Sequence, residues 1–379
     1  MNVYLDNAAT TALDPEVFEA MKPYMMDNFG NPSSTHAHGR KVKSGIESAR
    51  KKVAELLNTT PGEIIFTSGG TEADNAIICS AVKTFGVKHI ISSAIEHHAV
   101  LHTVESNAHD GKVQLHWVEL DEKGHVKLNH LEQLLKQYPS ALVSLMHANN
   151  EIGNLLDIEQ VGELCDAHGA YFHSDTVQTI GHYRHDLKKI KVCGLSAGAH
   201  KFHGPKGAGF MYIRKDKKIS PFMHGGAQER NMRGGTENVY GIIGLAKALE
   251  IAYRDMDEHE RYIKGLKARM IERLKENIPG VAFNGDSANL DKSLYTVLNV
   301  CLPESEDKDM LLFNLDLAGI SASGGSACSS GAAKGSHVLE ALGVNPNRAS
   351  IRFSFSKFNT AAEIDFAVEK LSEMCKVEA

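Results

Sequence analysis

Lysine chemistry is the first possibility this sequence raises. In Ser196-Ala-Gly-Ala-His200-Lys201-Phe-His-Gly-Pro205-Lys206-Gly207 a lysine follows a histidine and leads into a Gly-Pro-Lys-Gly turn. A lysine that is partly buried or near positive charge sheds its proton, attacks a carbonyl and forms a Schiff base. The same residue on an open loop is only a solvated cation. The Gly, Ala and Ser around Lys201 leave room for a flat cofactor. Upstream, Tyr171-Phe-His-Ser-Asp175-Thr-Val-Gln178 sets a carboxylate directly after a strand-like run. Such an Asp either caps a helix or pairs with the pyridinium nitrogen of a pyridoxal ring, which needs that proton to act as an electron sink.

Thr67-Ser68-Gly69-Gly70-Thr71-Glu72-Ala-Asp-Asn75 runs from a strand through two glycines into a helix. Backbone N–H groups at such a turn and the helix N-terminus favour an anion. The segment lacks the Gly-Lys-Ser/Thr ending of a nucleotide-binding loop, and a plain capped helix would read the same. Arg352, in Ser350-Ile-Arg-Phe-Ser, is a cation on an apolar strand: an outward-facing residue or a fork for a substrate carboxylate. Asn31 and Asn150 occupy loops, where asparagine also serves simply to turn the chain. Cys328 is a thiol with an ordinary pKa of about 8.5, centred in residues 321–336, where all but Cys328 and Lys334 are Gly, Ala or Ser. That composition suits a linker, or a tether for a thiol that travels, and predicts mobility. His98 and His102 have i, i+4 spacing, but no third ligand is evident and no metal is expected. His97 follows a strand, where an imidazole could stack on a bound ring or move a proton.

The elements that must position these groups follow from hydrophobic period. Strand-like runs at 63–67, 88–93, 113–120, 141–146, 171–173 and 209–213 alternate with helical patterns such as 71–84 and 158–168. This is βαβ arithmetic and predicts a mostly parallel sheet flanked by helices, with ligands at the carboxyl ends of its strands. A helix is expected over 43–57, and a long helical region over 238–277 whose charged second half reads as a partly exposed connector. The last hundred residues change style, with strands at 295–300 and 350–355 and helices at 307–317 and 360–375. The expected fold is therefore α/β, with a large cofactor-binding domain over 15–255 and a smaller α+β domain built from 1–14 and 256–379. With 379 residues the chain has room for two to three domains. A net charge of −6 with interspersed signs argues against nucleic acid or an anionic membrane as partner. No run of apolar residues is long enough for a membrane span. No secretory leader opens the chain, and the six scattered cysteines form no CxxC pair, so reduced thiols in the cytoplasm are expected.

Taken together, the motifs resemble those of the cysteine desulfurases, pyridoxal-phosphate enzymes of the class-V aminotransferase group. The matching segments are YLDNAATT at 4–11, FGNPSS at 29–34, FTSGGTEADN at 66–75, EHHAV at 96–100, MHANNEIG at 146–153, FHSDTVQ at 172–178, AHKFHGPKG at 199–207, HGGAQERNMRGGTENV at 224–239, GSACSSG at 325–331 and IRFS at 351–354. They run end to end in the family's order, and the cysteine loop looks like that of the nitrogen-fixation and iron–sulfur-assembly branch. The resemblance implies a pyridoxal-phosphate transferase fold and a set of roles. Lys201 would carry pyridoxal 5'-phosphate covalently. Asp175 would pair with its ring nitrogen, Gln178 with its phenolic oxygen, and His97 would stack on the ring. Gly70, Thr71 and His200 would grip the phosphate, and Thr236 would reach the phosphate of a second subunit, implying a homodimer. Asn31, Asn150 and Arg352 would hold the carboxylate of L-cysteine. Cys328 would take its sulfur as a persulfide and pass it to an acceptor protein, such as an iron–sulfur scaffold.

Two features depart from the family. Gly198 stands where a serine hydroxyl usually meets the phosphate, and the chain stops soon after its last expected helix, where housekeeping members carry an extension that docks the scaffold. Other readings compete with the desulfurase. A selenocysteine lyase or other β-lyase would not need Cys328 to form a persulfide. An aminotransferase would leave the cysteine loop without work. An inactive scaffold protein on the same fold would take up no cofactor. A cysteine hydrolase would leave Lys201 and Asp175 unexplained.

Overall fold

The computed structural model describes residues 1–305, 308–324 and 335–375. Its strands, in chain order, are β1 (Val3–Tyr4), β2 (Ile64–Thr67), β3 (His89–Ser92), β4 (Gln114–Trp117), β5 (Leu142–Ser144), β6 (Tyr171–Asp175), β7 (Gly194–Gly198), β8 (Gly209–Ile213), β9 (Ala282–Phe283), β10 (Val297–Glu304), β11 (Ile320–Ser321) and β12 (Arg348–Ser354). Seven of them form the main sheet in the order β2-β8-β7-β6-β5-β3-β4. Its pairs are parallel except where β8 joins β2 and β7, so β8 alone runs against the others. The expected α/β architecture is thus present. The inner strands β5 and β7 are buried on both faces, as strands of a sheet covered by helices must be. Among the described residues no helix is long and apolar enough to cross a membrane.

The sequence reading missed β7. Its residues, Gly-Leu-Ser-Ala-Gly, carry little β-propensity, yet all five are buried between β6 and β8. Small side chains are what the position demands: a Cβ on Gly194 would stand 3.0 Å from Ile77 Cγ2. The expected helix over 43–57 starts earlier, spanning Ala37–Leu56 with His36 as its cap. The helical region over 238–277 is two helices, Val239–Arg254 and Met256–Asn277, which meet at Asp255. Its charged second half is no connector. Ile263, Leu266, Met270, Ile271 and Leu274 are buried along it and pack on Ile364, Val368 and Leu371 of the helix Ala361–Met374.

The two largest hydrophobic cores among the described residues divide the chain. One lies around the main sheet, from Val17 to Met256. The other joins Val3 and Leu5 to residues between Ile263 and Leu371, around the antiparallel sheet β12-β10-β9. The N-terminal segment enters the second core through β1, paired with β11, and then crosses to the first, where Thr11 N meets the carbonyl of His200 at 2.9 Å.

Candidate active site

The carboxyl ends of β2, β3, β5, β6 and β7 converge on one cavity of about 200 Å³, lined among others by Thr71, His97, Asn150, Asp175, Gln178, His200, Lys201 and Arg352. This is where an open parallel sheet binds its ligands. Lys201 closes a short 3₁₀ turn that follows β7, and its Nζ donates to the carbonyls of Ala8 at 2.6 Å and Ala9 at 2.8 Å. Gln178 Nε2 donates to the same Ala8 carbonyl at 3.1 Å. The N-terminal segment therefore forms the wall against which the lysine rests.

Asp175 ends β6, buried, and accepts the N–H of Val177 at 2.9 Å. It has no ion pair among the described residues. Burial, reinforced by the neighbouring Asp74, pushes its pKa up to about 7. A buried carboxyl in that state seeks a cation. Asp74 also lines the cavity, with burial holding its pKa at about 7, and its Oδ1 lies 3.3 Å from His173 Nε2. His97 caps the helix His98–His109, its Nδ1 accepting the N–H of Ala99 at 3.1 Å. Burial, then the charge of Lys201, lowers its pKa to about 4. The imidazole is thus neutral, with its proton on Nε2.

Close packing marks the turn expected to hold an anion. Gly70 begins the helix Gly70–Phe85, and a Cβ there would strike Val177 Cγ2 at 2.4 Å. Only glycine lets this helix end come so close to the strand that carries Asp175. A Cβ built on Gly198 would stand 3.5 Å from Gly70 N and 3.6 Å from His200 Nε2, so those two nitrogens face one point. His200 Nδ1 meets Thr10 Oγ1 at 3.2 Å, and burial lowers its pKa to about 4. At the opposite end, Arg352 is buried on β12, donating from Nη1 to the Asn150 carbonyl at 3.0 Å and from Nη2 to Asp6 Oδ1 at 2.8 Å. Its Nε is buried with no hydrogen-bond partner among the described residues.

Residues 3–366 match the family model for aminotransferase class-V. This chain belongs to the class-V aminotransferase family. A cysteine desulfurase IscS of Methanosarcina thermophila is 45% identical over 98% of this chain and 91% of its own. One from Dictyoglomus turgidum is 42% identical over 98% and 94%. The solved structure of a NifS-like protein superposes with a TM-score of 0.90 at 38% identity, covering 99% of both chains.

Not every expected site residue of this class-V aminotransferase reaches the cavity. Asn31 is exposed, accepts the N–H of Ser33 at 2.9 Å to form a turn, and does not line the cavity. Thr236 is likewise exposed and apart from it. Cys328 lies outside the described residues, and so does the mobility expected of its loop. Sequence reasoning missed Asp74 and Asp6. Asp74 had a usable signal, since it follows Gly70 by four residues on one helix and must share its face. Asp6 had none: only the fold sets it beside Arg352.

Proposed function

We propose that this chain is a cysteine desulfurase. It converts L-cysteine to L-alanine and leaves the substrate's sulfur as a persulfide on Cys328, for an acceptor protein in iron–sulfur cluster assembly or another thiolation. The observation that carries this reading is that Lys201, Asp175 and Arg352 line one cavity at the strands' carboxyl ends.

The residues fit pyridoxal 5'-phosphate. Asp175 is a buried carboxyl that calls for a cation, which the ring nitrogen would supply. Gly70, Thr71 and His200 would form an anion cradle, with Gly70 N and His200 Nε2 both within 3.6 Å of the point where a Cβ on Gly198 would stand. Gln178 stands beside the lysine to meet the phenolic oxygen, and neutral His97 offers a flat face to the ring. When bound, pyridoxal phosphate supplies an electron sink that makes the substrate's α-proton acidic. Lys201 is the covalent anchor and, once free of that duty, the base that takes this proton. Arg352, with Asn150, holds the substrate carboxylate. The Cys328 thiolate attacks the substrate sulfur: an S–S bond forms as the Cβ–S bond breaks, and the carbon side keeps the electron pair and takes up a proton.

The exposed Thr236 supports a homodimer in which it reaches the partner's phosphate. Cys79, Cys165, Cys193, Cys301 and Cys375 are free thiols, which suits the cytoplasm. The test measures alanine and sulfide released from L-cysteine with a thiol reductant present. Equal amounts from the wild type and none from Cys328→Ala are expected. Release that survives the substitution would instead indicate a lyase that eliminates sulfide directly, of the selenocysteine lyase or β-lyase kind.

A further inference from the structure

Next to Lys201, but not among the residues that line the cavity, stand a histidine and a tyrosine that serve neither cofactor nor substrate. His182 lies seven residues beyond Asp175, just after Gly181, whose φ is +83°. A Cβ on Gly181 would stand 2.6 Å from Phe202 Cβ, so this stretch presses directly on the lysine's turn. His182 Nε2 lies 3.2 Å from the carbonyl oxygen of Lys201. His182 Nδ1 lies 3.1 Å from the hydroxyl of Tyr295, which comes from the segment before β10 and belongs to the second core.

The Lys201 carbonyl fixes one end of this chain of bonds. A carbonyl only accepts, so Nε2 must carry the proton. A neutral imidazole then has a bare Nδ1, and the single Tyr295 O–H lies within reach of both that nitrogen, at 3.1 Å, and the His182 carbonyl, at 3.2 Å. Burial lowers the His182 pKa to about 4, so the ring stays neutral. Tyr295 thus holds the ring and the backbone of His182 together, while Nε2–H donates to the Lys201 carbonyl. On the preceding residue, Thr11 donates to the carbonyl of His200 from its N–H at 2.9 Å and its hydroxyl at 3.0 Å. The carbonyls on either side of the Lys201 Cα are thus clamped, from the N-terminal segment and from the second core.

We propose that His182, oriented by Tyr295, is a positioning residue for Lys201: it pins the lysine's carbonyl so that Nζ moves between its partners about a fixed backbone. This rests on the assignment of Lys201 as covalent anchor and base. A lysine that both tethers a group and carries a proton must swing at its side chain while its Cα stays in place, and an error of about 1 Å in such a group costs up to about 100-fold in rate.

The experiment uses the full-length holoenzyme with His182→Leu, His182→Gln and Tyr295→Phe. Three readouts are taken: steady-state kcat and KM for L-cysteine, the isotope effect with α-deuterated L-cysteine, and the rate of borohydride trapping at Lys201. His182→Leu should lower kcat by about 10-fold, raise the isotope effect as proton transfer becomes limiting, and slow trapping, with KM little changed. His182→Gln, whose amide can still donate to the carbonyl, should recover much of the loss. Tyr295→Phe removes one hydroxyl, keeps the ring, and should move the same readouts part-way. It also keeps the test decisive if His182→Leu does not fold. Variants that match the wild type in kcat, isotope effect and trapping, whatever their melting temperatures, would overturn the proposal and make the pair mere packing. A wild type that neither traps cofactor at Lys201 nor consumes L-cysteine would overturn the functional assignment itself.

Discussion

Arg352 and Asp6 form an ion pair across 346 residues of chain, Nη2 to Oδ1 at 2.8 Å, and this pair aims the guanidinium into the cavity. With Nη1 on the Asn150 carbonyl, the fork is held from both core regions at once. Arg352→Lys keeps the charge but cannot satisfy Asp6, the Asn150 carbonyl and a substrate carboxylate together. Losing charge-assisted bonds worth about 1.5–3 kcal/mol should raise KM for L-cysteine by about 10- to 100-fold, with a smaller change in kcat. Steady-state kinetics check this, and an unchanged KM would place the substrate carboxylate elsewhere.

Asp175 trades stability for binding. Its folded-state pKa, about 7, lies above the ordinary 3.8, because burial disfavours the charge. A carboxyl shifted this way supports the fold fully below pH 3.8 and loses that support as the pH rises through 7. Asp175→Asn should therefore melt above the wild type at pH 8 when both lack cofactor, and the gap should close toward pH 4. The same variant should bind pyridoxal phosphate more weakly. Thermal melts across that range, paired with absorbance titrations of the cofactor, test both halves; a gap that does not change with pH would mean Asp175 is not buried as a neutral acid.

Strand β2, strand β6 and the helix after Gly70 were legible because their hydrophobic periods are strong and their glycines and Asp sit at element ends. Strand β7 was not, because Gly, Ala and Ser were selected by the space between Ile77 and β8 rather than by strand preference. Lys201, Asp175 and Arg352 could be singled out by type and setting. Asp6 and the Tyr295–His182 link could not, since they are contacts between segments far apart in sequence, and no local pattern records them. The two helices over 239–277 show the same limit: their charged surface residues masked a regularly spaced apolar stripe from Ile263 to Leu274 that builds the second core.

Gly198 needs no glycine. Its φ of −130° and ψ of 119° are ordinary strand values, and an added Cβ makes only normal contacts, 3.5 Å from Gly70 N and from His200 Cδ2. Gly198→Ser should therefore fold normally and place a hydroxyl at the anion cradle. One added hydrogen bond of about 1 kcal/mol should tighten pyridoxal phosphate binding by about 5-fold. Cofactor titration of the apo protein measures it; weaker binding would show that the hydroxyl displaces the phosphate.

Acid should unfold this protein through its histidines. His97, His173, His182, His185, His200 and His203 all have pKa values lowered to about 4, in each case chiefly by burial. An unfolded histidine titrates near 6.5, so each of these supports the fold fully above that pH and loses its support as the pH falls toward 4. Asp74 and Asp175, both raised to about 7, pull the other way over the same window, because the folded apo protein keeps protons that the unfolded chain has lost. The histidines outnumber these carboxyls, so unfolding near pH 5 should take up protons overall, and urea denaturation should give lower stability at pH 5 than at pH 7. Asp175→Asn removes one opposing group and should steepen that dependence. A stability that rises on acidification from 7 to 5 would mean the buried carboxyls, not the imidazoles, dominate the site's electrostatics.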